Sequence, residues 1–479
     1  MTGADISNVV LVTVDSLRAD ATAPYDESRH TPVIEELAEE GTVFEHAFAT
    51  GNWTPFSFPG ILASRPVFAD SGDIGVEKAD TLAETLSGAG LETGGFNAAN
   101  GFLTSHWGYD DGFDEFEPFV TGSSRFYSQY LAAHPTVEAW LQLAASPFRR
   151  FASKLRRDGN DKPFFDASRG LDVERSATGF IDDTDEPFFL WVHYMDTHTP
   201  YVPAPRYVRE VSDSRLGTHR MLMAHTRTGL GWEVGDRTLQ DLRTLYQGGT
   251  RQVDASIGRI REALSAAGVA DDTAMIVAGD HGEEFQEHGH LAHYPKLYDE
   301  LIHVPLIVDI PGVDGGRVEE AVGLDDIPPT VCGLLGVDGR DSWVGEDLTP
   351  TLLDGETPSG DPIVSVAVRG EEVTTQPIPR SLVEGDLLVS ARTTEWTYIR
   401  NTESGEEELY YRPTDPTQQE NLMGDVDADT NADADATAAI EHLRPIAERH
   451  AASLSSEGPT ASGDVDEDLE RRLSALGYR

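Results

Sequence analysis

Residues 273–290 read TAMIVAGDHGEEFQEHGH, and this stretch decides the fold of the chain. Its beginning, 273–278, is a short apolar run of the kind that forms a strand buried on both faces. A glycine ends the run, and Asp280 and His281 follow at the carboxyl end of the expected strand. Ligands collect at that end of open α/β sheets, and a carboxylate beside an imidazole suits a metal. On this stretch alone, a helix N-cap Asp with an acidic first turn fits equally well.

Strands and helices alternate along the rest of the chain. Apolar, strand-like runs recur at 8–14, 43–49, 91–97 and 187–194, and helical patterns occupy 31–41 and 237–267. This alternation predicts an α/β fold with a large, doubly wound and mostly parallel sheet. The segment 298–310 is read as a further strand. After about residue 354, shorter alternating segments predict a small antiparallel sheet.

These changes of pattern divide the chain into three expected parts. Residues 1–354 form the large α/β domain, in which 128–177 is an insertion or a lid. Residues 355–423 form a small C-terminal α+β subdomain, and 424–479 an acidic linker with a terminal helix. The insertion contains a basic patch at 148–157, which fits either a helix paired with neighbouring acids or a surface for an anionic substrate.

The composition is strongly acidic. Asp and Glu number 84 against 36 Lys and Arg, for a formal net charge of −48, yet 39% of the residues are hydrophobic. Such a chain can bury a core, so it is not an acidic disordered chain. The acid is spread along the whole sequence, which disfavours a nucleic-acid partner. Adaptation to molar salt explains the composition best, and a cationic partner for the acidic surface is the alternative.

The charge leads to a prediction about salt. At low ionic strength the surface carboxylates repel one another, whereas molar salt reduces the screening length to about 3 Å. We therefore expect the thermal midpoint to fall when salt is diluted from molar concentration to dilute buffer. Melts followed by circular dichroism across that range test this. A midpoint that does not change with salt would contradict the prediction.

Cysteine content and hydropathy limit the environments in which we expect the protein to occur. The lone Cys332 excludes an internal disulfide framework and a cysteine-rich metal site, and it suits a small core position. We find no run of 18 apolar residues, and the first residues lack a charged signal-peptide region. The expected protein is soluble and cytoplasmic, without stable membrane insertion. Its oligomeric state does not follow from the sequence.

Polar groups at three expected strand ends suggest one metal centre. Asp15 follows the first strand, Thr54 follows the second, and Asp280 and His281 follow the strand at 273–278. Such a set predicts one divalent cation, Mn²⁺, Zn²⁺, Mg²⁺ or Ca²⁺. Coordination would lower the pKa of the Thr54 hydroxyl and make it a nucleophile. In the alternative, Thr54 is a turn residue and a metal-bound water attacks.

Further ordered motifs accompany these groups. They read VLVTVDSLRAD at 10–20, HTPVIEELAEEGTVFEHAFA at 30–49, WVHYMDTHTPY at 191–201, GDHGEEFQEHGH at 279–290 and YDELIHVPLIV at 298–308. With them the chain resembles the sulfatase family of the alkaline phosphatase superfamily. The resemblance implies a metal-dependent hydrolase or transferase that acts on an anionic sulfate or phosphate ester.

The resemblance also implies roles for residues around the metal. It places His198, the histidine of the HTPY motif, beside the ester as a substrate-binding residue and as the acid for the leaving group. His293 and Lys296 follow the metal motif and are candidate catalytic residues that hold non-bridging oxygens. Asn100 is a candidate substrate-binding residue from the opposite loop.

The nucleophile loop departs from the family pattern. Sulfatases have Cys or Ser, converted to formylglycine, in a C/S-x-P-x-R motif, whereas WTPFSFPGILASRP at 53–66 has Thr54 at the nucleophile position and Phe58 at that of the Arg. The Asp pair usual after the first strand is reduced to Asp15-Ser16. In these respects the chain resembles single-metal phosphotransferases such as lipoteichoic-acid synthases.

This departure affects the expected chemistry. A formylglycine hydrate can expel sulfate through its second hydroxyl, which Thr does not have. A phosphothreonine can instead be resolved by a second in-line attack at phosphorus. The sequence therefore favours phosphate mono- or diester chemistry through Thr54. The alternatives are a true sulfatase and a non-catalytic relative that binds an anion or a polymer.

Overall fold

A computed structural model describes residues 6–69, 72–120, 169–184, 187–213, 216–229, 232–370, 379–424 and 431–454. The basic patch at 148–157 and the predicted terminal helix lie outside these residues. So does most of the predicted insertion, whose last residues belong to a helix that begins at Gly170. Of the part predicted as an acidic linker with a terminal helix, Gly424 and residues 431–454 are described, and Asn431–Leu454 is a helix.

The strands are the main elements of the fold. In chain order they are β1 (Asn8–Val14), β2 (Thr42–Phe48), β3 (Glu92–Asn97), β4 (Glu115–Glu117), β5 (Phe188–Tyr194), β6 (Thr273–Gly279), β7 (Glu284–Phe285), β8 (Leu291–Ala292), β9 (His303–Val304), β10 (Leu306–Asp309), β11 (Arg317–Gly323), β12 (Ile363–Arg369), β13 (Asp386–Arg392), β14 (Trp396–Asn401) and β15 (Glu407–Tyr411). Within the described residues, nine of them form one sheet in the order β11-β2-β10-β6-β1-β5-β3-β4, with β9 paired to β2. Most neighbours in it are parallel, and β10 runs antiparallel to both β2 and β6.

The helices cover both faces of this sheet. They are α1 (Pro32–Glu40), α2 (Thr54–Ala63), α3 (Leu82–Gly88), α4 (Gly170–Asp183), α5 (Pro205–Val211), α6 (Thr218–Gly229), α7 (Asp236–Ala267), α8 (Asp299–Ile302), α9 (Ile327–Leu334), α10 (Thr349–Asp354) and α11 (Asn431–Leu454). On β1, Val10 and Val12 pack into the core under α1 and α7, while Val9 and Leu11 pack into the core under α2 and α9. This explains why the strand is apolar throughout instead of alternating. The predicted doubly wound, mostly parallel α/β sheet is confirmed.

Helix α1 is capped from a distant part of the chain. Thr31 occupies the N-cap position but makes no side-chain capping bond there. Asp254 of α7 accepts hydrogen bonds from the backbone N–H groups of Val33 (3.0 Å) and Ile34 (2.8 Å) instead. Two of the free N–H groups at the helix start are thus satisfied by a buried carboxylate, which fixes α1 against α7.

The C-terminal part of the chain forms a second, antiparallel sheet. It has four strands in the order β12-β13-β14-β15 and packs against α11. The alternating segments 387–391, 396–400 and 408–411 of the sequence indicate β13, β14 and β15, whereas β12 was not predicted. Phe56 and Trp53, which flank Thr54, belong to the same hydrophobic cluster as this sheet and α11. The second sheet therefore supports the loop that presents Thr54.

One local prediction needs correction. The segment 298–310 is not one strand, because its start forms the short helix α8 and only β9 and β10 follow. Of the two readings of Asp280, the helix N-cap is excluded, since the chain after it continues into β7. Cys332 is 1% exposed in the core, as its sequence context predicted. None of the described helices is long and apolar enough to cross a membrane.

Candidate active site

Asp15 and Asp280 meet where two central strands end. Strands β1 and β6 are parallel neighbours, and the Asp280 N–H donates to the carbonyl of Val14 (3.2 Å). The Asp15 N–H donates in turn to the carbonyl of Tyr194 on β5 (2.8 Å). Both carboxylates are fully buried. Continuation of the strand pairing thus brings two acids from distant parts of the chain to one point, as the strand-end argument predicted.

His281 lies between these carboxylates. Its Nε2 is 3.7 Å from Asp15 Oδ1 and 3.7 Å from Asp280 Oδ2. Its Nδ1 is 2.9 Å from the carbonyl oxygen of Gly282. Because a carbonyl can only accept, Nδ1 carries the proton, and a neutral ring then has its lone pair on Nε2, facing the acids. This tautomer is the one a metal ligand needs.

Thr54 is the first residue of helix α2. Its Oγ1 donates to Asp15 Oδ2 (3.2 Å) and lies 3.5 Å from His281 Nε2. The hydroxyl therefore touches two of the three predicted ligands. Because the partial positive charge of a helix N-terminus stabilises anions, the position of Thr54 favours negative charge on and around its oxygen.

Asn100 closes the cluster from the loop after β3. Its Nδ2 donates to Asp15 Oδ2 (3.0 Å) and to Thr54 Oγ1 (3.3 Å), while its Oδ1 accepts from the N–H of Phe102 (3.0 Å). The residue before it, Ala99, has a φ of +60°, and Ser16 beside Asp15 has a φ of +59°. Such left-handed backbone is unusual for residues other than glycine and gathers at functional sites.

His198 and His293 stand next to the cluster, and both are partly exposed. The centre of the His293 ring lies 5.0 Å from that of His198 and 5.2 Å from that of His281. His198 Nδ1 is 2.6 Å from the carbonyl oxygen of Thr199, so it donates there and the ring presents Nε2. Burial lowers the pKa of both histidines, in His293 to about 3.

Lys296 takes a different position from its predicted neighbours. Its Nζ donates to the carbonyl of His288 (2.6 Å) and lies 3.5 Å from Glu284 Oε2. It also lies over the rings of Tyr294 and Tyr298. Of the predicted site residues, the structure thus gathers Asp15, Thr54, Asn100, His198, Asp280, His281 and His293, while the contacts of Lys296 lie outside this group.

Two buried residues join the site that the sequence did not place there. His193 of β5 has its Nε2 3.7 Å from Asp15 Oδ2, with no hydrogen-bond partner among the described residues. Glu283 is fully buried and lies next to His293 and Tyr201. Strand-end position was a signal for His193, whereas Glu283 had the sequence signature of an acidic helical turn.

The electrostatics of the cluster fit a bound cation. Burial raises the pKa of Asp280 well above its usual range, and the nearby charge of Asp15 raises it further. Burial also raises the pKa of Asp15, but His198, His193 and His281 outweigh it and hold that pKa low. Asp280 Oδ2 and His193 Nε2 are buried without partners in the described structure. Ligand atoms of Asp15, His193 and Asp280 all lie within 4.8 Å of one another, and a divalent ion among them would satisfy the two that lack hydrogen-bond partners.

No basic side chain balances these acids in the part of the chain that the structure describes. The hydrogen bonds and ion pairs of Asp15, Thr54, Asp280 and His281 there involve no Lys or Arg. Phe58, at the position of the family's Arg, is fully buried, with its ring 5.0 Å from that of His193. Imidazoles and one amide therefore line the described site.

The sulfatase family model matches residues 7–337, which is most of the chain and includes every residue of the cluster. The chain belongs to the sulfatase family. The ulvan-active sulfatase of Formosa agariphila is 27% identical over 251 residues, which cover 51% of this chain and 46% of that protein. The multifunctional alkaline phosphatase superfamily protein PehA of Trinickia caryophylli is 26% identical over 231 residues, 43% of each chain.

Solved structures show the same fold over nearly the whole chain. The phosphonate monoester hydrolase of Agrobacterium radiobacter aligns with a TM-score of 0.65 at 20% identity, covering 94% of this chain and 95% of that one. In sequence, by contrast, the matches span less than half the length of the two curated relatives named above. The solved structures therefore show the fold, and the activity has to be argued from the site.

Proposed function

We propose that the protein is a metal-dependent hydrolase of phosphoric or sulfuric esters in which Thr54 is the nucleophile. The observation that carries the proposal is the position of Thr54 Oγ1, at a helix N-terminus and hydrogen-bonded to Asp15 Oδ2. A turn hydroxyl without a role has no need of two buried acids and a histidine around it. The family supports the class of reaction, because its fold is shared with a phosphonate monoester hydrolase.

Asp15, Asp280 and His281 would hold the divalent cation, together with Thr54. His193 Nε2 lies on the other side of Asp15 and is a fifth group within reach of the same centre. A cation bound there supplies Lewis acidity, which lowers the pKa of a coordinated hydroxyl and offsets the charge of the ester. The two aspartates balance its double charge and leave no surplus negative charge in the cluster.

The reaction begins with in-line attack by Thr54 Oγ1 on phosphorus or sulfur. The Oγ1 bond to that atom forms, and its bond to the ester oxygen of the leaving group breaks. The Thr54 proton passes to Asp15 Oδ2, which already accepts it in a hydrogen bond of 3.2 Å. Asn100 Nδ2, 3.3 Å from Oγ1, holds the hydroxyl in place and is near enough to donate to a non-bridging oxygen.

His198 serves the leaving group, since its Nδ1 is engaged by the Thr199 carbonyl and only Nε2 is available for transfer. In the doubly protonated ring, the proton on Nε2 goes to the departing alcohol oxygen, and Nε2 is protonated again after the second attack. A second in-line attack, by water, then breaks the bond between Thr54 Oγ1 and phosphorus and releases the inorganic product. An alcohol in place of water would make the protein a transferase.

We infer phosphoric esters as the preferred class, because a phosphothreonine can be resolved by this second attack. No Lys or Arg contacts Asp15, Thr54, Asp280 or His281 in the described structure, so the site suits esters with one negative charge, such as phosphodiesters and phosphonate monoesters. Sulfate monoesters also have one negative charge. They are the alternative substrate class, because the chain is similar in sequence to the ulvan-active sulfatase.

A panel with one leaving group tests the substrate class. We expect methyl 4-nitrophenyl phosphate to be hydrolysed with a kcat/KM at least roughly tenfold above that of the doubly charged 4-nitrophenyl phosphate, because the second charge meets no basic side chain. Sulfate transfer from 4-nitrophenyl sulfate should be slower than phosphate transfer from the diester. Initial rates with Mn²⁺, Zn²⁺, Mg²⁺ and Ca²⁺, each against a chelator, identify the active ion.

Two outcomes of this substrate panel would contradict the proposal. Faster turnover of 4-nitrophenyl sulfate than of every phosphorus ester would make the protein a sulfatase in the strict sense. Binding of the cation without turnover of any ester would support the non-catalytic alternative. The experiment is done in molar salt, at which the acidic surface is screened.

A further inference from the structure

The carboxylate of Glu283 is held in a fixed place beside the site. The Glu283 N–H donates to the carbonyl of Glu300 (2.9 Å), and the Glu283 carbonyl accepts from Arg18 Nη1 (3.0 Å). Both backbone groups are thus occupied by other segments, and the side chain is fully buried. Burying a carboxylate is costly unless its oxygens accept hydrogen bonds. The hydrogen-bond partners of the two oxygens therefore indicate the role of the carboxylate.

One oxygen of Glu283 has a donor and the other does not. Oε1 accepts from the hydroxyl of Tyr201, which is itself 3% exposed. Oε2 has no hydrogen-bond partner in the described structure, and neither has Nδ1 of His293. These two orphaned atoms lie 3.4 Å apart. A small rotation of the His293 ring would let Nδ1–H donate to Oε2 and satisfy both.

We propose that Glu283 is a positioning residue, which holds His293 in the Nδ1–H tautomer and leaves its Nε2 as a proton acceptor toward the ester site. Tyr201 fixes the carboxylate from the opposite side. This inference rests on the proposed function, because it assigns His293 Nε2 to accept the proton of the water that makes the second attack. Glu283 itself touches no reacting atom.

Neighbouring residues hold the ring of His293 in place. Trp53 packs edge-on against its ring, with the centres 6.4 Å apart, and Asn52 Nδ2 donates to its backbone carbonyl (3.5 Å). Among the described residues, these contacts fix the position of the ring, and only Glu283 is placed to fix its tautomer. A carboxylate that accepts from one nitrogen of a histidine sets which nitrogen faces the substrate, as in many catalytic pairs.

Two variants separate the acceptor from the charge. Glu283→Met keeps the approximate length of the side chain and removes both oxygens, whereas Glu283→Gln keeps one acceptor oxygen. We expect the Met variant to lose roughly 10- to 100-fold in kcat with KM within about threefold, and the Gln variant to recover part of the loss. Metal content should match the wild type, because Glu283 is not a proposed ligand.

Glu300→Gln is the matched control. Glu300 Oε1 and His288 Nδ1 form a second carboxylate–imidazole pair, 2.5 Å apart and largely buried, which does not contact Thr54, Asp15 or Asp280. The control makes the same chemical change in the same type of pair. We expect kcat to stay within about twofold of the wild type, even where the melting temperature falls.

The tautomer is measured directly on metal-loaded protein labelled with ¹⁵N-histidine. His293 is assigned by its loss in His293→Gln, and the expected signature is a protonated Nδ1 in the wild type and in Glu300→Gln, lost or mixed in Glu283→Met. A protonated Nε2 in the wild type, or the same signature in Glu283→Met as in the wild type, overturns the inference. Without any ester turnover the proposed function fails, while this spectrum still decides the role of Glu283.

Discussion

Thr54→Ala is expected to abolish ester hydrolysis. The substitution removes the oxygen that attacks, so kcat should fall by roughly four orders of magnitude or more, as on deletion of a nucleophile. Metal binding should persist, because Asp15, Asp280 and His281 are untouched. The measurement is kcat on the best ester of the panel, together with metal content and the thermal midpoint.

Two further variants make this result specific. Thr54→Ser keeps the hydroxyl and loses only the methyl group that restricts χ1, so it should retain part of the activity. Ser57→Ala is the matched control, because Ser57 lies in the same helix and its hydroxyl donates to the carbonyl of Gly51 (2.9 Å) instead of to the cluster. We expect the control to stay within a few-fold of the wild type.

Trapping distinguishes covalent from direct hydrolysis. If Thr54 attacks, acid quench during turnover leaves a phosphoryl or sulfuryl group on the peptide that contains Trp53, Thr54 and Pro55, which mass spectrometry detects. If Thr54 were only a turn residue, a metal-bound water would attack and no adduct would form. Near-normal turnover by Thr54→Ala would exclude the covalent route.

Much of the fold could be predicted because its central strands are buried on both faces. Continuous apolar runs such as β1 and β6 have no polar alternation, and few other structures accommodate them. Helix α2 gave no such signal. Every residue from Thr54 to Ala63 is buried, so the helix has no polar face, and its two prolines obscure its start. The first turn of α2 depends on the tertiary packing around it, which the sequence pattern does not show.

The site was predictable where strand ends carry it. Asp15, Asp280 and His281 follow strands, and parallel order brings those ends together. Glu283 could not be predicted in the same way, because the sequence does not show that β7 replaces a helical turn there. Lys296 is only three residues from His293, yet its ammonium lies beside Glu284 and not in the cluster. Loop geometry of that kind depends on tertiary contacts, which sequence spacing does not record.

Asp280 is expected to lower the stability of the metal-free protein at neutral pH. Burial and the charge of Asp15 raise the pKa of Asp280, so the folded state binds a proton there more tightly than the unfolded state. Stability from this group is therefore fully present below the unfolded value of about 3.8 and is lost as pH rises toward the folded value. Asp15 has the opposite effect, because its pKa is held low. Near neutral pH the charge of Asp280 therefore opposes folding, and a bound cation would offset this cost.

Asp280→Asn is accordingly expected to stabilise the metal-free protein while weakening metal binding by roughly 100-fold or more. The amide oxygen can still accept from the N–H groups of Ser16 and His281, now 3.0 and 2.8 Å from Oδ1. Its NH₂ group then occupies the place of the orphaned Oδ2 and can donate to Asp15. Calorimetric titration with the active ion gives the affinity, and thermal melts with chelator give the stability.

The pH dependence supplies the control for this last prediction. The difference in midpoint between Asp280→Asn and the wild type, both metal-free, should be small near pH 4 and grow as the pH rises, because only the wild type has a proton to lose at this position. With saturating metal the order should reverse, since the wild type gains more from the ion. A metal-free variant that melts below the wild type at neutral pH would show that the buried acids do not oppose folding, and would remove the electrostatic argument for the cation.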